Sequence, residues 1–462
     1  MLEAGKVSKQ AESVSFVFFV FLVYLCFLYL RPIELFAEWL ADYRPMLIIW
    51  LIAFGGSLVH VLRHKDAASS ATHYWLLFWL MVAIALSQLW QGKFSEAMAA
   101  IADFSASMLL FFLISFNVLS MRRLRIACIV ILMSLFAVSV LGITAYHTGY
   151  MSEELVLQQR KDDWTIEAPK TRPPIPAEDK SGAFLWRVRG VGILNDPNDF
   201  AQALIMAMPM LWWFVRKGAW IRNLLFVGVP GALMGYCITL TNSRGAMLGI
   251  GSLLFFGIRD KLGNLKTFLL LGAAVGGFLV IGATGGRAMS TQERSAEERI
   301  EAWYEGINML KSSPLFGIGY GGFTDRYYLT AHNSFVLGFA ELGMFGYFFW
   351  MALLVLGFTT VGRVAKYAPR GSDESLSGSI LRSSLVGYMT CAWFLSRTYQ
   401  PVLFGLLALC TAVWVCACRS PACADIAPLR EPLKWTKITL VAMVISIAAV
   451  DGFIIMHRIG GA

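Results

Sequence analysis

Long apolar stretches separated by short polar connections recur along nearly the whole chain. An α-helix needs roughly 20 mainly apolar residues to cross a hydrocarbon core about 30 Å thick, and about thirteen stretches approach that length. These candidate spans lie at about residues 14–30, 46–63, 73–90, 98–118, 124–145, 199–215, 222–241, 245–258, 265–284, 333–358, 380–396, 400–417 and 436–456. The pattern predicts an all-α polytopic membrane protein with about 12–13 transmembrane helices, in which residues 1–462 form a single integral membrane domain.

The composition agrees with this class. Of 462 residues, 57% are hydrophobic and only 15% are charged, whereas soluble domains carry roughly 25% charged residues. The formal net charge is +9, but no basic helix or zinc-finger spacing accompanies it, which argues against a nucleic-acid partner. The eight cysteines fall in apolar spans or at a predicted cytoplasmic edge, so disulfides are not expected.

Lysine and arginine are distributed unevenly between alternate connections. Clusters occur near residues 63–65, 122–125, 216–222, 259–266 and 363–370, whereas the short connections between them hold few cations. Because cytoplasmic loops are enriched in Lys and Arg, this bias predicts a cytoplasmic N-terminus. The two long polar segments, residues 146–198 and 285–332, then lie on the periplasmic side. The side of the C-terminus stays open, because the short connection 396–401 could belong to a re-entrant pair.

The two polar loops differ in predicted structure. The first contains KTRPPIPAEDK, whose prolines and mixed charges predict an extended, mobile flap. The second contains an amphipathic helix, which either lies near the membrane surface or packs on other loops. Its apolar stripe consists of Ile300, Trp303, Tyr304, Ile307 and Leu310. Pro314 and the glycine run 317–322 end this helix, and the run predicts a flexible hinge that leads to His332.

The stretch HNSFVLGFAELGMFG, residues 332–346, begins at the periplasmic end of a predicted transmembrane helix. It fits a pattern of His, then Asn, Ser or Gln, nine residues, Gly, two residues and Gly, through His332, Asn333, Gly343 and Gly346. In this pattern the chain resembles the O-antigen ligase and polymerase superfamily. Three upstream segments are similar to the family as well: RGVGILNDPNDFA, TNSRG with Arg244, and ERIEAW with Arg299, which PLFGIGYGGF follows. The resemblance covers about residues 185–360, a family-like catalytic region, and the first five spans support it by hydropathy alone.

The resemblance implies a bacterial inner-membrane glycosyltransferase of cell-surface polysaccharide biosynthesis. Members of the family take a glycan from a polyprenyl (undecaprenyl) diphosphate carrier at the periplasmic face. A ligase transfers it to lipid A core oligosaccharide in lipopolysaccharide biosynthesis, a polymerase to another lipid-linked repeat, and a protein O-glycosylation ligase to a protein hydroxyl. We expect a ligase, while the residues themselves leave the acceptor, the sugar and the oligomeric state open.

Glycan transfer needs a base near the acceptor hydroxyl and cations near the departing diphosphate. Histidine titrates near neutral pH, so His332 is the candidate general base or acceptor-orienting group. Guanidinium groups bind phosphate oxygens through paired donors, so arginines are candidates for binding the donor diphosphate. The main candidates are Arg244 and Arg299, the weaker ones are Arg187, Arg189 and Arg397, and the supporting residues are Asn333, Trp303, Gly343 and Gly346. Each arginine also has a structural interpretation, such as stacking of Arg299 on Trp303.

No nucleotide-binding loop and no metal-ligand spacing accompany these residues. Asp196 and Asp199 are expected to cap the next helix rather than to bind a metal, so the predicted transfer needs neither a metal nor a cofactor. Asp103, Glu341 and Asp451 lie in apolar spans and are expected to form structural pairs. A lipid-linked glycan flippase or transporter is the alternative from another class, but the sequence has no detectable internal repeat of the transporter kind.

Overall fold

The computed structural model describes residues 16–63, 71–160, 184–263, 266 and 294–460, which are mostly helical. The predicted all-α class is confirmed. The helices are α1 (Phe16–Leu30), α2 (Pro32–Phe36), α3 (Pro45–Arg63), α4 (Ala71–Trp90), α5 (Phe94–Asn117), α6 (Met121–Thr148), α7 (Ser152–Leu155), α8 (Pro197–Ala207), α9 (Trp220–Leu240), α10 (Arg244–Leu262), α11 (Arg294–Ser312), α12 (Phe323–Arg326), α13 (Ser334–Tyr367), α14 (Asp373–Ala392), α15 (Pro401–Arg419), α16 (Ala427–Arg430) and α17 (Trp435–Gly460). The described residues also form two strands, β1 (Val156–Arg160) and β2 (Phe184–Val188).

Seven of the described helices are long and apolar enough to cross a membrane: α4, α5, α6, α9, α13, α15 and α17. Three shorter apolar helical stretches lie at Phe16–Leu30, Pro45–Val59 and Arg244–Gly257. The chain is therefore a multi-pass membrane protein. Every predicted span within the described residues coincides with helical structure, although the span at 199–215 consists of α8 followed by the 3-10 helix Met208–Phe214. The predicted span 265–284 falls almost wholly outside the described residues.

Helix α13 lies at the centre of the bundle and packs against α4, α14, α15 and α17. It is apolar on all sides, as expected of a helix surrounded by others, and Phe339, Tyr347 and Trp350 are fully buried on it. Gly346 lets α4 approach closely, because a Cβ atom there would lie 3.2 Å from the Cβ of Ala83. Helix α13 is thereby packed into the core, and His332 lies two residues before its first residue.

The structure departs from the sequence prediction inside α13, where Gly343 breaks the helix with φ 62° and ψ −171°. The chain after α11 fills the break: the amides of Met344 and Phe345 donate to the carbonyls of Pro314 (2.8 Å) and Leu315 (3.0 Å). On the other side, the amide of Ile318 donates to the carbonyl of Ala340 at 3.0 Å. These bonds satisfy backbone groups that the break would otherwise leave unpaired.

The glycine run after Pro314 is consequently docked against α13, and the predicted hinge is wrong. The amide of Gly319 donates to the carbonyl of Glu341 at 3.1 Å, and Gly317 and Gly319 both have positive φ. The carboxylate of Glu341 accepts the amide of Phe323 at 3.3 Å, which holds the far end of the run. These glycines allow the backbone of the run to lie close to the backbone of α13, and they do not provide flexibility, because a side chain at Gly317 would collide with α13.

The first loop forms an antiparallel hairpin that the sequence analysis did not predict. Val156 pairs with Val188 and Leu157 with Arg187. Side chains alternate across a strand, so one face carries the buried Val156 and Val188, and the other carries Gln159 and Arg187 toward a cavity. The proline-rich part of the predicted flap lies outside the described residues.

The amphipathic helix of the second loop is confirmed as α11. Its apolar stripe packs against α13 and α17, so the bundle itself covers the stripe in place of the membrane surface or other loops. Trp303 is buried, with ring centroids 6.1 Å from Trp393 and 5.4 Å from Phe453. This packing fixes the side chains of α11 relative to the start of α13.

Candidate active site

A cavity of about 280 Å³ opens at the end of the bundle where the two loops meet. Four of the predicted site residues converge on it, although they come from elements far apart in the sequence: His332, Arg187, Arg244 and Arg299. The remaining lining residues are Leu157, Gln159, Asp196, Asn198, Asn242, Gly245, Glu298, Leu329, Phe394 and Leu395. Three guanidinium groups around one imidazole make a site suited to an anionic ligand and a proton transfer.

His332 occupies a left-handed backbone conformation, with φ 47°, immediately before α13. Two of the predicted supporting residues hold it there. The side chain of Asn333 caps the helix by accepting the amides of Phe335 (2.8 Å) and Val336 (3.2 Å). The indole of Trp303 donates to the carbonyl of Ala331 at 2.9 Å. The residues on both sides of His332 are therefore fixed by buried hydrogen bonds.

The environment of His332 favours its neutral form. Burial lowers the pKa of the imidazole to about 4, and the nearby cations of Arg299 and Arg397 act in the same direction, while Asp196 opposes them. At neutral pH the ring thus has a lone pair available to accept a proton. A neutral histidine next to cations can act as a base without first losing a proton of its own.

Arg187 connects three elements while it lines the cavity. Its guanidinium donates to the carbonyl of Thr241 (2.8 Å), to Asn198 Oδ1 (2.9 Å) and to Gln159 Oε1 (3.1 Å). Burial lowers its pKa to about 10, so it stays charged at neutral pH. Arg187 therefore joins the hairpin to the start of α8 and to the turn before α10 and also gives the cavity positive charge.

Arg244 and Arg299 enter the cavity from different helices. Arg244 is the first residue of α10, where the helix dipole also favours an anion. It follows a turn in which Asn242 has φ 51°. Arg299 lies on α11, one residue after Glu298, whose side chain also lines the cavity. Both side chains line the same cavity as His332.

The other two predicted arginines lie outside the set of described residues that line the cavity. Arg189 donates to the backbone carbonyls of Glu154 (2.9 Å) and Glu153 (3.0 Å) and so holds α7, directly before β1. Arg397 forms an ion pair with Asp199 through its Nε atom. Both side chains have protein partners in this structure.

Several polar residues of the cavity were not predicted as site residues. Asp196 was expected to cap α8, and it does so by accepting the amide of Asn198 at 2.7 Å, but it also lines the cavity. Gln159, Asn242 and Glu298 were missed. Asn242 and Glu298 lie within the family-like segments TNSRG and ERIEAW, so their place beside Arg244 and Arg299 was a usable signal. Gln159 had none, because the hairpin that carries it was not foreseen.

Residues 229–351 match a family model described as O-antigen ligase. This segment runs from within α9 to the middle of α13 and includes Arg244, Arg299, His332 and the break at Gly343. No curated protein matches the chain. The family match thus coincides with the part of the fold that supplies most of the charged wall of the cavity.

Proposed function

We propose that this chain, whose residues 229–351 match the O-antigen ligase family model, transfers a glycan from a polyprenyl diphosphate carrier to an acceptor hydroxyl. The observation that carries this proposal is the convergence of His332 with Arg187, Arg244 and Arg299 on one cavity. The carrier is proposed to be undecaprenyl diphosphate and the acceptor lipid A core oligosaccharide. The product would then be part of the cell-surface lipopolysaccharide.

In the proposed reaction His332 accepts the proton of the acceptor hydroxyl as its oxygen attacks the anomeric carbon of the donor. The new glycosidic C–O bond forms while the bond from that carbon to the diphosphate oxygen breaks. The imidazole carries the proton, and the polyprenyl diphosphate leaves with the bonding electron pair. A base of this kind contributes typically 10²–10⁴-fold to a rate.

Arg244 and Arg299 are proposed to bind the donor diphosphate. Negative charge grows on the leaving oxygens in the transition state, and preorganised cations in a shielded site stabilise it without reorganisation. Arg187 contributes positive charge from a buried position. The scheme uses a donor already activated on lipid, so we propose that transfer requires neither nucleotide nor metal.

We propose that the cavity faces the periplasm across the bacterial inner membrane. The connections at the opposite end carry the clusters of Lys and Arg that mark cytoplasmic loops. Arg125 and Asp373 form an ion pair of 2.6 Å at that end, which agrees with both residues lying on one side of the membrane. A periplasmic cavity would receive donor from the outer leaflet.

The test is transfer in vitro by the purified full-length protein in nanodiscs. The reaction contains polyprenyl-diphosphate oligosaccharide, EDTA and no nucleotide, with lipid A core, extra donor or a hydroxyl-bearing protein as acceptor in separate arms. We expect glycosylated lipid A core from the native chain and from His147→Ala, a control histidine that hydrogen-bonds Tyr236 outside the cavity. We expect no product from His332→Ala.

Product in another arm would keep the transferase and replace the acceptor. A dependence on added metal would contradict the metal-independent scheme. Movement of donor across vesicle membranes without any product would overturn the proposal in favour of a flippase.

A further inference from the structure

The ion pair between Asp199 and Arg397 lies beside the proposed active site rather than in it. Asp199 is on the first turn of α8, next to the cavity residues Asp196 and Asn198. Arg397 lies in the connection 393–400 between α14 and α15. Both side chains are largely buried, with exposed fractions of 11% for Asp199 and 27% for Arg397. A charged pair held this far from solvent is costly to keep unless it is well bonded, so its position calls for a role.

The connection that carries Arg397 is bonded to the first turn of α13. The hydroxyl of Ser334 donates to the carbonyl of Leu395 (2.5 Å) and accepts the amide of Arg397 (2.9 Å). The hydroxyl of Thr398 donates to the carbonyl of Ser334 at 2.7 Å. Ser334 is two residues after His332, so any displacement of the connection moves the backbone that presents the imidazole.

A second contact holds the chain on the other side of His332. The hydroxyl of Thr330 donates to that of Ser396 at 2.8 Å. The connection thus contacts the chain both before and after His332, and the ion pair to Asp199 fixes the connection to α8. Three elements that border the cavity are joined at one point.

We propose that Asp199 and Arg397 form a positioning pair for His332, and that Arg397 is not a ligand of the donor diphosphate. The pair locks the first turn of α8, the connection 393–400 and the first turn of α13 into one arrangement, and it places a cation near the imidazole. This inference rests on the proposed function, in which His332 is the base.

The electrostatic part of the role has a definite sign. The charged groups that face His332 are Arg299 from α11, Arg397 from the connection and Asp196 from the start of α8, while Arg244 and Glu298 share the cavity. Arg397 and Arg299 both lower the pKa of His332, in addition to burial. Removal of the Arg397 cation should raise that pKa, so the acid limb of kcat/KM, where the base becomes protonated, should move to higher pH.

The experiment measures kcat, donor KM and the pH profile of transfer for Arg397→Gln, Arg397→Lys, Asp199→Asn and the double variant Asp199→Asn/Arg397→Gln. We expect Arg397→Gln to lower kcat by about tenfold or more, while the donor KM stays within about threefold of the native value. The acid limb of the pH profile should move to higher pH by about half a unit or more. Arg397→Lys retains the positive charge, so its acid limb should stay at the native pH. Its kcat should lie between that of Arg397→Gln and that of the native protein. Asp199→Asn should lower kcat comparably, and the double variant should be no worse than the poorer single variant, because the residues act as a unit.

The control is Arg326→Gln, an exposed arginine of α12 in the second loop, for which kcat and KM should not change. A donor KM raised by about tenfold with the acid limb unmoved would make Arg397 a donor ligand and overturn the inference. Unchanged kcat in Arg397→Gln and in Asp199→Asn would also overturn it. If Arg397→Gln fails to fold, Asp199→Asn and Arg397→Lys carry the same test through kcat. Normal transfer by His332→Ala would instead refute the proposed function, which keeps the two failures distinct.

Discussion

The break in α13 gives a prediction whose size follows from the structure. Gly343 has φ 62° and ψ −171°, a region that is essentially restricted to glycine and costs other residues on the order of 1–3 kcal/mol. A Cβ atom at Gly343 would lie 2.5 Å from the amide nitrogen of Gly317 and from the carbonyl carbon of Leu315. Gly343→Ala must therefore push the docked 314–319 segment away from the helix.

That displacement endangers the four backbone hydrogen bonds between the segment and α13, each with a net contribution of about 1 kcal/mol. With the backbone strain, we expect a destabilisation of about 3–5 kcal/mol. Local opening of the 314–319 segment should be affected more than global unfolding, because the segment can detach while the helix bundle stays folded. About 3 kcal/mol corresponds to a roughly hundredfold faster amide exchange.

The assay is hydrogen exchange with mass spectrometry on the protein in nanodiscs, read at the amides of Ile318, Gly319 and Met344, together with thermal unfolding. The matched control is Gly362→Ala on the same helix, where a Cβ would meet no atom within 4 Å. That control should be neutral or stabilising by up to about 1 kcal/mol, since Ala favours the helix. Equal protection and equal unfolding temperatures in the two variants would refute the proposed role of the glycine.

Three further predictions concern the site. The native kcat/KM should stay level from neutral pH down to about pH 5 and fall only as pH approaches the lowered pKa of His332, about 4; an acid limb near pH 6.5 would contradict the described environment. Arg299→Gln should raise the donor KM by about tenfold. Because Arg299 lowers the pKa of His332, the acid limb should also move to higher pH. Steady-state kinetics with varied donor test this, and an unchanged KM would show that Arg299 does not bind the donor. Trp303→Phe keeps an aromatic ring but leaves the carbonyl of Ala331 without its hydrogen-bond donor, which should lower the free energy of unfolding by about 1–3 kcal/mol. The unfolding temperature and kcat should both decrease. A native-like kcat would show that this hydrogen bond does not position His332.

Much of the fold was predictable because membrane-spanning helices can be recognised in a sequence by their length and apolar composition. The break at Gly343 was not predicted from this signal, because the apolar composition of a broken helix is the same as that of a continuous helix. Its backbone groups are satisfied by residues 314–319, which lie more than twenty positions away and cannot be paired with it from the sequence. The hairpin was missed because five-residue strands such as VLQQR show too little alternation to be recognised.

The candidate site was predictable in its chemistry but not in its assembly. His332, Arg244 and Arg299 stood out by pattern, and the structure brings them together with Arg187. Arg397 was a weaker donor-binding candidate because guanidinium groups bind phosphate oxygens through paired donors. Its partner Asp199 lies 198 positions away, so only the folded chain shows that the cation is already paired.

The most direct test of the central claim separates donor binding from transfer in His332→Ala. Binding of polyprenyl-diphosphate oligosaccharide to the nanodisc protein is measured at equilibrium, and transfer is measured in a single turnover with saturating acceptor. We predict donor affinity within about threefold of the native value and transfer slower by about 10²–10⁴-fold, the usual contribution of a general base. Transfer at the native rate, or loss of donor binding that accounts for all of the lost rate, would contradict the assignment of His332 as the base.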